Sequence, residues 1–76
     1  MRIFLDRYFT FFHRPKRGWI ELELTGPTSL EEVLARLNIP AAEIYLVVVN
    51  GQACSPAGLV VHPQDVVQIF PPIGGG

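Results

Sequence analysis

Tyr45-Leu46-Val47-Val48-Val49-Asn50-Gly51-Gln52-Ala53-Cys54 is the stretch that decides the fold. Residues 45–49 are apolar at every position, the pattern of a strand inside a sheet. Asn50-Gly51 then supplies two residues that tolerate positive φ, which a two-residue hairpin turn demands. A short return strand is therefore expected over residues 52–54.

Working outward toward the C-terminus, Ser55 to Gly58 reads as loop. His62-Pro63-Gln64-Asp65 suits a type I turn with proline second. Residues 66–70 form a last strand with Val67 and Ile69 on one face. The chain closes on Pro71-Pro72-Ile73-Gly74-Gly75-Gly76. The prolines favour a stiff, extended spacer. The glycines lack side chains, so they fit a narrow channel and reach backbone conformations closed to other residues. From Pro71 to Gly76 the tail spans up to ~20 Å. It reads as a flexible appendage, residues 71–76 on a domain of residues 1–70, that presents a carboxylate to another protein's active site.

Working outward toward the N-terminus, Leu30, Val33, Leu34 and Leu37 fall at helical spacing and give one apolar stripe. Thr28 and Glu31 have capping-box spacing at its start, and Asn38 and Pro40 end it. Residues 19–25 alternate: Ile20, Leu22 and Leu24 point one way, Trp19, Glu21 and Glu23 the other. His13-Arg14-Pro15-Lys16-Arg17-Gly18 reads as a turn. Residues 2–12, rich in β-branched and aromatic types, read as a long first strand. The order is strand, strand, helix, strand, short strand, strand. It predicts an α+β domain with a mixed four- to five-stranded sheet against one main helix. The connection through the helix permits a parallel pairing, and the tight turns make the others antiparallel.

With 76 residues, 49% of them hydrophobic and 17% charged, the chain is one small domain with a packed core and apolar surface to spare. A net charge of -1 gives no general attraction to nucleic acid or membrane. The single Cys54 has no disulfide partner within the chain, which fits a reducing cytoplasm. The N-terminal aromatic run is too short and too charged for a membrane span, and no secretory pattern is present.

Three stretches resemble the ubiquitin-like β-grasp sulfur carriers. Leu46-Val47-Val48-Val49-Asn50-Gly51 looks like their hydrophobic strand leading into Asn-Gly. Asp65-Val66-Val67-Gln68-Ile69-Phe70 looks like their last strand. Phe70-Pro71-Pro72-Ile73-Gly74-Gly75-Gly76 is similar to the Phe-Pro-Pro-x-x-Gly-Gly terminus of the molybdopterin synthase small subunit, more than to the thiamine-pathway carrier. The departures are Pro63-Gln64-Asp65 where relatives often have Asp-Gly-Asp, an aromatic first strand that runs into a basic turn, and the extra Gly74.

The resemblance implies that an activating enzyme of the ubiquitin-activating type adenylates the Gly76 carboxylate and that a sulfur donor converts it to a thiocarboxylate. Gly75, Gly74, Ile73, Pro72 and Pro71 would thread the partner's active site. ATP and Mg would be used by that partner, and this chain would bind no cofactor or metal and be no enzyme. The receiving partner would be a molybdopterin synthase large subunit or a thiazole synthase. Phe70, Phe4, Tyr8 and Phe11 are the candidate interface residues, since aromatics concentrate at interface cores.

Other features read more simply. Cys54 is an incidental or structural thiol, because the carrier chemistry needs none. His13 and His62 sit in turns without a metal-ligand neighbour at useful spacing. Arg14, Lys16 and Arg17 form a solvated hairpin tip. Two other functions share the features: a ubiquitin-like modifier ending in an isopeptide bond, and a non-covalent interaction or RNA-binding module with incidental glycines.

Overall fold

A computed structural model describes residues 1–6, 9 and 18–72. The strands are β1 (Arg2–Leu5), β2 (Gly18–Glu21), β3 (Thr28–Ser29), β4 (Leu46–Val49), β5 (Gln52–Cys54), β6 (Val60–Val61) and β7 (Val66–Phe70), with one α-helix, α1 (Leu30–Arg36). Five strands form a mixed sheet in the order β2-β1-β7-β4-β5. β1 and β7 run parallel, with Ile3 beside Val67 and Leu5 beside Ile69. The pairs β1–β2, β4–β7 and β4–β5 are antiparallel. This is the expected α+β, β-grasp arrangement.

The helix covers one face of the sheet. Leu30, Val33, Leu34 and Leu37 meet Ile3, Leu5, Val47, Val67 and Ile69, all nearly or wholly without exposed surface. The stripe read from the sequence is thus the helix's core face. α1 ends where Asn38 enters the left-handed region at φ 59, a conformation asparagine tolerates better than most residues. The N–H groups of Leu37 and Asn38 close the last turn onto Val33, Leu34 and Ala35 carbonyls.

Three expectations need correction, and two elements are added. β1 ends at Leu5, so the strand expected over residues 2–12 is not continuous; residues 7, 8 and 10–12 lie outside the described residues. The Phe9 N–H turns back to the Asp6 carbonyl at 2.9 Å, and the Phe9 ring is fully buried. At Phe9, burial outweighs β-propensity. The second strand, expected over residues 19–25, spans Gly18–Glu21, although Leu22 and Met1 still exchange main-chain bonds at 2.8 Å. The helix cap is Ser29, whose hydroxyl accepts from the Glu32 N–H, while Thr28 Oγ1 donates to the Gly26 carbonyl. Finally, Thr28–Ser29 and Val60–Val61 pair as a separate two-stranded ladder, and Ala41–Glu43 forms a 3₁₀ turn; neither had been expected.

The Asn50-Gly51 turn has φ of 52° and 84°, positive at both central residues as its type requires. It joins β4 to β5 with Val49 opposite Gln52 and Val47 opposite Cys54. Among the described residues no helix is long and apolar enough to cross a membrane.

Candidate functional site

The site is built around the point where the chain leaves the sheet. β7 is the central strand, and it ends at Phe70. Phe70 lies opposite Leu46, and its carbonyl accepts the Tyr45 N–H at 2.9 Å. That bond fixes the last ordered rung before Pro71, which is half-buried, and Pro72, which is exposed. Proline has no N–H, so the ladder cannot continue past Phe70 through either residue. Gly76, Gly75, Gly74 and Ile73 lie outside the described residues, as do Tyr8, Phe11, His13, Arg14, Lys16 and Arg17.

Side chains alternate across a strand, so the inward set Ile3, Leu5, Val47, Val67 and Ile69 fixes the opposite face. One row across that outward face is Trp19, Phe4, Gln68, Val48 and Ala53, in register from edge to edge. Next to it come Leu46 and Phe70 on one side, and Glu21, Arg2 and Val66 on the other. At these strand positions the only charged residues are Arg2 and Glu21. Trp19 is 45% exposed, Val66 37%, and Tyr45, beside the tail, 64%. Among the described residues the outward face of the sheet is therefore mostly apolar, and it reaches the root of the tail at Phe70.

Phe4 was expected at an interface, and it does lie on this face, half-buried against Trp19. The two rings meet edge to face with centroids 5.4 Å apart. The Arg2 guanidinium sits 4.9 Å from the centre of the Trp19 ring, and Arg2 Nε is 3.7 Å from Glu21. Phe70 is half-buried on the same face rather than a core residue. The sequence reading did not place Trp19, Tyr45, Leu46, Val48 and Val66 at the surface around Phe4 and Phe70. The signal was present for Trp19 and Val66: each is apolar at the outward position of an alternating strand.

Two clefts flank this arrangement. One, of about 390 Å³, is lined by Tyr45, Leu46, Ala53, Cys54, Ser55 and Pro56 and lies beside the root of the tail. The other, of about 440 Å³, involves Met1, the segment from Glu21 to Thr25, and Pro63, at the opposite end of β7. Cys54 is half-buried in the first, and its thiol lies 3.4 Å from the Gln52 carbonyl as a weak donor.

At the opposite end of the sheet, a polar clasp holds the turns. Asn50 Nδ2 donates to Asp65 Oδ1 at 3.0 Å, and Asn50 Oδ1 accepts from the Val66 N–H at 2.9 Å. The His62 N–H donates to Asp65 Oδ2 at 2.8 Å, and His62 Nδ1 stands 3.5 Å from the same oxygen. Burial pushes the Asp65 carboxyl up, but the hydrogen bonds from Asn50 and His62, with the His62 charge, outweigh it and hold it below its ordinary value. His62 is thus part of a structural turn. Among the described residues no three His, Cys, Asp or Glu side chains gather as a metal ion would need. What the described residues offer is a packed domain with a mostly apolar outward sheet face that ends at Phe70-Pro71-Pro72.

No curated protein matches the chain. The sequence model of the ThiS family matches residues 9–76, from the buried Phe9 through the glycine tail.

Proposed function

The chain belongs to the ThiS family of ubiquitin-like sulfur carriers, small carrier proteins rather than catalysts, and on that premise we propose that the Gly76 carboxylate is its working group. Carriers of this family work with adenylating enzymes and synthases. The observation that carries the proposal is the exit of the tail from the central strand at Phe70, beside the mostly apolar outward face of the described strands. A partner can hold the domain by that face and draw the tail into its own active site.

The chemistry follows from the weakness of a carboxylate as an electrophile. The Gly76 carboxylate attacks the α-phosphorus of ATP on the activating enzyme, and pyrophosphate leaves. The terminal sulfur of a donor persulfide attacks the acyl carbon, and AMP departs with the bonding pair. A thiol of the donor then cleaves the S–S bond, leaving a thiocarboxylate on Gly76 and a disulfide on the donor. ATP and Mg are used by the activating enzyme. Gly75 and Gly74 leave the channel unobstructed, and Pro71-Pro72 keep the stalk extended. The Phe70-Pro71-Pro72 element supports delivery to molybdopterin or tungstopterin synthesis, with a synthase large subunit as acceptor. The thiamine pathway, through a thiazole synthase, is the second reading. A ubiquitin-like modifier shares the adenylation step and differs in ending as an isopeptide.

The test is to incubate the protein with ATP, Mg, a cognate adenylating enzyme and a sulfur donor, and to weigh it. The expected product carries one oxygen exchanged for sulfur at the C-terminus. A mass that never changes, with an enzyme that is active on another carrier, overturns the proposal. Covalent conjugates that survive reductant would instead favour the modifier.

A further inference from the structure

We infer that Trp19 is a specificity-determining contact of this carrier: an aromatic anchor, held ready by Phe4 and Arg2, that enters an apolar socket on the adenylating enzyme. The inference rests on the sulfur-carrier reading and deepens it.

Geometry places Trp19 within the enzyme's reach. Trp19 and Phe70 occupy the same outward face, on β2 and β7, with β1 between them. Two inter-strand steps and two residues along the strands put them roughly 12 Å apart. The tail beyond Phe70 spans at most ~20 Å, so an enzyme that holds the Gly76 carboxylate in its active site must stand close to Phe70. A stable partner covers ~800 Å² on each side, a patch of about 16 Å radius. A patch of that size centred on Phe70 takes in Trp19, with Phe4, Gln68 and Val48 between. The strand positions that lie between them, Phe4 and Gln68, carry no charge.

Trp19 also has the physical character of an anchor. It is the only tryptophan of the chain. It lies on an edge strand and exposes 45% of its surface. Its ring is already oriented, edge to face with Phe4 at 5.4 Å and under the Arg2 guanidinium at 4.9 Å. Pre-orientation lowers the entropy lost on docking. Tryptophan is over-represented among the few residues that carry most of an interface's binding energy. Arg2, with Glu21 beside it, supplies the polar rim.

The test uses the intact protein with the adenylating enzyme of its source organism and measures ATP–pyrophosphate exchange against carrier concentration. Trp19→Ala is expected to raise KM for the carrier ~10- to 100-fold with kcat little changed, because the anchor binds but touches no reacting atom. Trp19→Phe should recover part of the loss. Val60→Thr, at an exposed position on the small ladder away from this face, should change nothing. Since Trp19 is unique, 5-fluorotryptophan labelling gives a single ¹⁹F resonance in the otherwise unaltered protein, and it should shift or broaden when enzyme is added. This second readout decides the matter if Trp19→Ala does not fold. An unmoved resonance in a protein that the enzyme adenylates overturns the inference, as does an unchanged KM in a folded Trp19→Ala. A wild-type protein that the enzyme never adenylates overturns the carrier reading itself, and this inference with it.

Discussion

Asn50 and Asp65, 15 residues apart in sequence, are joined side chain to side chain at 3.0 Å. Asn50 turns the β4–β5 hairpin, and Asp65 closes the turn before β7. Through Oδ1, Asn50 also receives the first N–H of β7. One asparagine thus sets a positive-φ turn and ties it to the strand that carries the tail. Asn50→Gly should keep the turn and lose the clasp, at a cost of about 1–2 kcal/mol. Asn50→Ala loses the clasp and adds backbone strain, so it should cost about 1 kcal/mol more. Denaturant titration of the two variants checks the order.

The clasp makes stability pH-dependent in one direction. The Asp65 carboxyl is held below its ordinary value in the fold. Its contribution is therefore complete above the unfolded-state value of about 3.9 and is lost as pH falls through the lower folded value. Thermal melts between pH 6 and pH 2 should show a drop in acid. In Asp65→Asn, the melting temperature at pH 6 should be lower and its fall in acid shallower. An equal fall in both proteins would assign the acid sensitivity to other carboxylates.

Ser29 and Thr28 separate by mutation. Ser29→Ala removes the hydroxyl that accepts the Glu32 N–H and should destabilise by about 1 kcal/mol. Thr28→Ala removes a bond from Oγ1 to the Gly26 carbonyl and leaves the helix cap in place. Circular dichroism during urea unfolding should show the larger loss for Ser29→Ala.

The core under the helix and the outward face of the sheet should respond oppositely. Leu34 is 2% exposed in the core, and Leu34→Ala should cost about 2–5 kcal/mol. Val48 is half-buried on the outward face. Val48→Ser should cost less than half as much in stability, yet weaken partner binding more than any helix-face substitution. Melting curves and a pull-down against the adenylating enzyme read the two effects.

At the tail, Gly75→Ala should lower sulfur loading on the order of 100-fold, since a small misplacement at a reacting centre has that scale of effect. The melting temperature should not change. Mass spectrometry of the loaded protein checks the first statement and calorimetry the second.

Strong local chemistry was readable from the sequence, and weak or shared chemistry was not. Asn50-Gly51 has one dominant structural use, so β5 falls at Gln52–Cys54 as expected. Val67 and Ile69 mark their face by alternation, and β7 spans Val66–Phe70 as expected. The helix stripe was legible, but its cap was not. Thr28 precedes Glu31 and Ser29 precedes Glu32 by the same three residues, so the sequence carries two equivalent capping boxes. The short ladder of Thr28–Ser29 with Val60–Val61 has no period to detect. The first strand was overread because aromatic residues favour both strands and cores, and Phe9 serves the core. The apolar grip was half-legible: Phe4 and Phe70 stood out as aromatics, whereas Leu46 and Val48 looked like core until the register put them outside.

The position of β7 in the middle of the sheet has a mechanical meaning. A protein that pulls on the tail pulls along the central strand, which is bonded to β1 on one side and β4 on the other. Force along a strand loads both ladders in shear, so their hydrogen bonds must yield together rather than one by one. Resistance to such pulling is set by the unfolding rate rather than by equilibrium stability. Pulling on the terminus therefore meets two ladders at once instead of peeling off an edge strand.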